Sequence, residues 1–333
     1  MRRTLLLLSI LTLVPWIAVA APRRVQFGIQ TGQEGVTWND VLSAWKEAET
    51  LGFDSAWNFD HLMPIVGDQD GPCLESWTML GALAAQTQRI RIGALVTGNS
   101  YRSPALLAKM ATTVDQISNG RLNLGIGAAW FQPEHEAYGF PFYSAKERAA
   151  RLGEALEVIT DLWTVDHPSF SGQYYLLSHA PFAPAPTQKP HPPIIIGGQG
   201  KKWIMPLVAR YADGWNVPIG VSPEGVKRRL DIIHQECQRL GRTACDIEVS
   251  VLLPLISITK IPLVGPVTRL AARTRVPGKV ARQLLAGSPD DIKAQIQQYV
   301  DVGVTHVILY LRPPFDHELM RRFATDVMPA FRQ

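Results

Sequence analysis

The chain is poor in cysteine. Cys73, Cys237 and Cys245 are the only three in 333 residues, and none stands in a C-x-x-C or C-x-x-x-C spacing. That excludes a disulfide framework and a cysteine-based zinc site, so the three are expected to be ordinary thiols. His135 and its neighbours also lack ligand spacing, so no metal site is expected. Excess charge is scarce. A formal net charge of +4, with no basic stripe interleaved with aromatics, excludes nucleic acid as a partner. An apolar run long enough to span a bilayer is lacking too, since Leu5–Ile17 is too short. The run does have telling flanks. Arg2-Arg3 precede it and Ala18-Val19-Ala20 follow it, which is the layout of a secretory signal peptide cleaved after Ala20. The mature protein is then expected to be exported, with no stable membrane span. The rival reading is a cytoplasmic protein with a misassigned start, beginning near Val25.

With 46% hydrophobic residues, the remainder can bury a large core, and residues 25–333 read as one domain. The organising stretch is Ile194-Ile195-Ile196-Gly197-Gly198-Gln199-Gly200-Lys201-Lys202. Three β-branched residues that stop in glycine read as a buried strand entering a turn. A patterned stretch through Tyr211 follows, so the order is strand, glycine turn, helix N-terminus. Glycines let backbone N–H groups approach a ligand, and a helix N-terminus favours anions. The expected occupant is a phosphate. The spacing is neither that of a P-loop nor that of the dinucleotide G-x-G-x-x-G. A tight βα turn with glycines for steric reasons is the competing reading.

Alternation continues along the chain. Strands are expected at Val25–Gln30, Phe53–Phe59, Ile90–Val96, Leu122–Ile126, Ile194–Ile196, Asp213–Val217, Ile247–Leu253 and His306–Leu311. Helices between them include Trp38–Leu51 behind a Thr37 cap and ahead of Gly52, Pro104–Ile117, Ala145–Leu162, Pro223–Leu240 and Ser288–Val302. The last helix covers roughly His317–Phe331. Eight strands alternating with helices, with no dividing linker, fit an α/β fold of the (β/α)8 TIM-barrel type. A doubly wound sheet is the alternative. Residues 164–192, rich in proline and carrying a hairpin-like Ser171–Tyr175, read as an insertion after strand four. Between Lys260 and Arg282 stand six basic residues and no acidic one. They read either as a basic lid on the functional face or as a packed amphipathic helix or solvated loop.

In such a barrel, function gathers where strands end. Those positions are Asp60-His61, Thr97-Gly98-Asn99, Gly127 to Trp130, and Gly197 to Lys201. An acid, an imidazole, a glycine-lined wall and an anion turn together suggest a cofactor site. An imidazole changes charge close to neutrality, which suits His61 to proton delivery. Asp60 could orient that imidazole or meet a polar ring edge. Trp130 could wall the pocket. Glu134 and His135 could cap the following turn or contact the ligand.

These pieces resemble the luciferase-like monooxygenase family, in its branch that uses the deazaflavin coenzyme F420. The matching residues are Asp60-His61-Leu62, Thr97 to Pro104, Asp115 to Arg121, Leu124 to Trp130, Glu134 to Gly139, Pro190 to Gly198, Arg210 to Asn216, and Gly303-Val304. The resemblance implies a bacterial-luciferase-like barrel with the cofactor at the strand C-termini. It implies that Gly197, Gly198, Gln199, Gly200 and Lys201 hold the cofactor phosphate. It implies that Asp60 and His61 lie beside the ring, with Thr97, Gly127 and Trp130 around it. Ala94 and Leu95 match the place where the family often has a cis peptide against the ring. Residues 1–24 and the basic segment have no counterpart in that pattern.

The implied activity is hydride transfer between F420 and an unknown small organic substrate. One alternative is a monooxygenase of the alkanesulfonate type that uses reduced FMN and oxygen. Deazaflavin carries carbon where flavin has its reacting nitrogen, and that one atom separates the two chemistries. Another alternative is an exported solute- or cofactor-binding protein without turnover, which in its solute-binding form would show two lobes and a hinge. A homodimer is the open expectation for assembly.

Overall fold

The computed structural model describes residues 24–242, 245–259, 261, 264–272, 274 and 277–332. The signal-peptide reading of residues 1–20 falls outside the described residues. In chain order the elements are β1 (Gln26–Thr31), α1 (Trp38–Thr50), β2 (Ser55–Asn58), α2 (Ser76–Gln86), β3 (Arg91–Ala94), β4 (Thr97–Gly98), α3 (Pro104–Ile117), β5 (Leu124–Gly127), α4 (Gln132–Ala137) and α5 (Ala145–Thr164). There follow the hairpin β6 (Phe170–Ser171) and β7 (Leu176–Leu177), then β8 (Ile194–Gly197), α6 (Met205–Tyr211), β9 (Gly214–Val217), α7 (Pro223–Arg239) and β10 (Glu248–Ile258). The chain ends with α8 (Val264–Ala272), α9 (Gly278–Ala281), β11 (Leu285–Gly287), α10 (Pro289–Val300), β12 (His306–Leu311), α11 (His317–Asp326) and a 3-10 turn, Met328–Phe331.

Local chemistry starts and stops these elements as expected. Thr37 and Asp40 form a reciprocal capping box ahead of α1. Its Val41, Ala44, Trp45 and Ala48 are buried, which is the stripe of a helix lying on a sheet. Gly52, at φ +84, turns the chain out of that helix. Ser288 and Asp291 repeat the box at α10, with Pro289 in its first turn.

The parallel sheet runs in the order β3-β2-β1-β12-β10-β9-β8-β5-β4, with β11 added beside β10. β3 pairs with β2 and β4 with β5, so the two short strands are one stave interrupted at Leu95-Val96. An Ile92–Leu122 bridge completes closure. The fold is therefore the (β/α)8 barrel, with the antiparallel β6–β7 hairpin inside the expected insertion. It is one closed sheet, which corrects the doubly wound and two-lobed alternatives. Trp57, Leu95, Ile195 and Ile308 fill the barrel interior, with Val96 and Leu252 half-buried against them. At its base Ser55 Oγ meets His306 Nε2 at 2.8 Å and Trp57 Nε1 donates to the same hydroxyl.

Three expectations need correction. α4 was not foreseen, being only six residues long with Pro133 near its start. The helix after the glycine turn begins at Met205 rather than at Lys201. Residues 201–204 form a separate turn, in which Ile204 N–H donates to Gly200 O at 2.8 Å. The basic segment, for which a lid and a packed helix were both open, contains α8 and α9 and leads into β11. Arg269 of α8 donates to Ala286 O, so the described part of that helix packs on the sheet extension.

The third correction concerns the thiols. Cys237, at the end of α7, is disulfide-bonded to Cys245, and only Cys73 is free. Sequence spacing missed the bond because α7 ends and the chain reverses before β10, bringing the two Cα atoms to 5.9 Å. For a separation of eight residues, loop-closure entropy alone makes the bond worth about 2–3 kcal/mol. Replacing both cysteines by alanine should lower the unfolding free energy by that amount in denaturant titration. Two additional free thiols in the native, unreduced protein would show that the bond is absent.

Candidate active site

The loops after β2, β4, β5 and β8 open on one face of the barrel, the face where such folds place their chemistry. Glu134 gathers three of them. It projects from α4 and is fully buried. Its Oε2 accepts from His61 Nδ1 at 2.9 Å and from the Tyr101 hydroxyl. Its Oε1 accepts from the backbone N–H of Leu62, and from that of Met63 at 3.3 Å. Burial alone would raise the carboxyl pKa, but hydrogen bonds from His61 and Tyr101 outweigh it and hold the group below its usual range. Burial and the nearby carboxylate push the Tyr101 phenol up, so it stays protonated and donating.

The bond to Glu134 uses Nδ1 of His61, so Nε2 is the nitrogen left to face a ligand. The imidazole is 8% exposed and ringed by aromatics: Phe59, Trp130 and Phe131 lie 5.2, 5.9 and 5.9 Å from it, centroid to centroid, all edge-on. His135 is placed differently. It is fully buried, with Nδ1 on Phe131 O at 2.8 Å and Nε2 on Ser100 Oγ at 2.7 Å. Those bonds make it an anchor of the α4 loop.

Asp60 does not orient His61. Both its oxygens take the Arg102 guanidinium, at 2.6 and 3.0 Å, and Oδ2 also accepts from Gly98 N–H at 3.1 Å. A two-pronged pair of this kind fixes the β4 loop against the end of β2. Thr97 is buried too, and its hydroxyl accepts from Trp77 Nε1 at 3.0 Å. Ala94 and Leu95 are buried, and the cis peptide joins Leu95 to Val96, one bond later than Ala94-Leu95. The Val96 side chain occupies the space that a Cβ at Gly127 or Gly197 would need, at 2.8 and 2.7 Å. Those two glycines therefore have a steric role, and Val96 forms the surface between them.

The turn beyond them is more open. Gly198 has φ +137, which glycine tolerates, and its N–H reaches Asn216 O. Gln199 and Lys201 are exposed and Gly200 half-exposed. Among the described residues, the N–H groups of Gln199, Gly200 and Lys201 meet no protein acceptor. Arg229 of α7 donates to Gln199 O at 2.9 Å. Beside it opens a cleft of about 470 Å³ whose lining holds four cations (Arg228, Arg229, Lys279 and Arg282) against one acid, Glu224. Free N–H groups next to a cationic cleft suit an anionic group.

Sequence reasoning missed Glu134 as the partner of His61, and also missed Tyr101 and Arg102. Glu134 and His61 are 73 positions apart, and no local spacing joins them. The available signal was the Glu134-His135-Glu136 run just beyond a strand end.

This barrel carries a histidine–carboxylate pair and an anion-ready turn on one rim, an enzyme-like constellation. A profile of the luciferase-like monooxygenases matches residues 17–259, and the chain belongs to that family. Among proteins similar to it is the F420-dependent glucose-6-phosphate dehydrogenase of Microbacterium testaceum, 29% identical over 93% of this chain and 98% of that protein. The FMNH2-dependent dimethylsulfone monooxygenase of Pseudomonas putida is 34% identical over 50% of this chain and 45% of its own length. In structure the chain is similar to an F420-dependent secondary alcohol dehydrogenase in complex with an F420-acetone adduct. The TM-score is 0.80 at 22% identity, covering 93% of this chain and all of that one.

The lowered Glu134 carboxyl makes a pH prediction. Its folded value lies below the unfolded value of about 4.3. The stabilisation is therefore complete at neutral pH, begins to fall near that value, and is lost as pH drops through the folded value. Glu134→Gln should be less stable than wild type by about 1–3 kcal/mol at pH 7. The gap should narrow towards pH 3, as followed by denaturant unfolding at each pH. A gap independent of pH would contradict the assignment.

Proposed function

We propose that this protein is an oxidoreductase that transfers a hydride between coenzyme F420 and a small organic substrate. The observation that carries the reading is His61, held by a buried, ionised Glu134 with Nε2 left free, on the same rim as the anion-ready Gln199–Lys201 turn. When bound, the deazaflavin supplies a ring carbon that gives or accepts the hydride. The residues present fit that group. Free N–H groups of Gln199, Gly200 and Lys201 would hold its phosphate, and Lys201 adds charge. Val96 and the apolar barrel interior exclude water from the reacting face. His61 Nε2 gives or takes the accompanying proton, and Glu134 keeps the ring oriented for it. The F420-dependent glucose-6-phosphate dehydrogenase matches along most of the chain in sequence, whereas the FMNH2-dependent dimethylsulfone monooxygenase matches half of it. That half-length match is the observation behind a second reading, a monooxygenase using reduced FMN.

We infer further that the protein works outside the cytoplasm. The Arg2-Arg3, apolar-run and Ala18–Ala20 order supports this, as does the Cys237–Cys245 bond, which is typical of oxidising compartments. N-terminal sequencing from the native host should find Ala21. A cytoplasmic chain beginning at Val25 would sink the inference.

The central test is titration of the purified protein with F420 and with FMN, alongside mass analysis of any co-purified cofactor. F420 should bind and FMN should bind more weakly; the reverse order would favour the monooxygenase. Lys201→Glu should weaken F420 by about tenfold, equivalent to about 1.4 kcal/mol. It is a cleaner probe than a change at Gly198, where φ +137 would strain any side chain. His61→Ala should leave F420 affinity nearly unchanged and lower turnover by about 10²–10⁴.

A further inference from the structure

We propose that the substrate presents a flat, uncharged group to Trp130, which acts as its stacking platform and sets specificity; this rests on the oxidoreductase reading above. Trp130 is 62% exposed, although it lies in ring contact with the His61 imidazole. An indole left in water beside a candidate catalytic group is surface that a ligand can cover.

The exposure is built in. Ala129, immediately before it, has φ +60, a left-handed conformation that a non-glycine residue adopts only when its surroundings impose it. The surroundings are α4, whose Glu134 and His135 are fully buried and bonded to the loops after β2 and β4. Phe131 turns inward and is 8% exposed. The loop is thus pinned on its inner side with the indole left outward. Tyr138 extends the same rim: its ring is half-exposed and its hydroxyl donates to Leu62 O at 3.0 Å.

The charges nearby are already satisfied. The Glu134 oxygens accept from His61, Tyr101, Leu62 and Met63, and the Asp60 oxygens from Arg102 and Gly98. The Cys73 thiol, whose Sγ donates to His61 O at 3.5 Å, is pushed up to about 12 by burial and by the Glu34 and Glu134 carboxylates, and stays neutral. Among the described residues, the two carboxylates bonded beside the imidazole, Glu134 and Asp60, are thus already paired. Aromatic faces and one free imidazole nitrogen remain, which suits a planar carbonyl compound or the corresponding alcohol.

The test is calorimetric titration of the full protein, both as purified and saturated with F420, using acetophenone, cyclohexanone and glucose 6-phosphate as probes. Acetophenone should bind most tightly in both preparations. Trp130→Ala should weaken it about tenfold, while Trp130→Phe should stay within about threefold of wild type. With a turned-over ketone, Trp130→Ala should raise KM with kcat largely kept, the split expected of a platform. Tighter binding of glucose 6-phosphate than of acetophenone, no binding of acetophenone, or an unchanged affinity in Trp130→Ala would each overturn the proposal. F420 retention, read from absorbance of the same samples, reports on the oxidoreductase reading separately.

Discussion

One buried carboxylate holds the functional rim together. Glu134 loses its hydration completely, and an unpaired charge in that position would be too costly to keep. It is stable only because four donors from two other loops converge on it: the His61 ring, the Tyr101 hydroxyl, and the Leu62 and Met63 N–H groups. The same bonds that stabilise the charge also determine which His61 nitrogen faces outward. Stability and chemistry therefore share one interaction, and neither can change alone. The neighbouring Asp60–Arg102 pair does similar work with no reactive atom left over, and reads as scaffold.

Closure of the barrel and the shape of the site are linked through the interrupted stave. Between β3 and β4 the chain steps inward at Leu95-Val96, and the facing staves must give way. Gly125, Gly127 and Gly197 do so: a Cβ at the first would strike the Ala94 carbonyl, and one at either of the others would strike Val96. Glycine-rich strand ends suggest phosphate binding to a reader of sequence, yet these three make room for protein. The phosphate-ready backbone lies a few residues on, at Gln199–Lys201, beside the cationic cleft that α7 and α9 complete. The basic segment is thereby divided. Arg269 fastens α8 to the sheet extension, while Lys279 and Arg282 line the cleft.

The periodic features were legible from the amino acids. Eight staves, the cap at Thr37, the helix that opens with Pro289, the stop at Gly52 and the hairpin in the insertion all follow from interactions within a few residues of each other. Such local preferences act wherever the segment sits, so sequence alone determined the order of the eight staves and the main helices between them, and with it the barrel and the rim on which function gathers. It also singled out His61 and the turn from Gly197 to Lys201. What only the tertiary structure decided were the meetings between distant residues. Glu134 with His61, Arg102 with Asp60, Cys237 with Cys245 and Val96 with its glycines each depend on where closure puts side chains, at separations that no helical or strand period encodes. The physical reason is the range of the forces. Backbone propensity and capping are local, whereas the pairing of a buried charge is settled by whichever donors the closed barrel brings within about 3 Å.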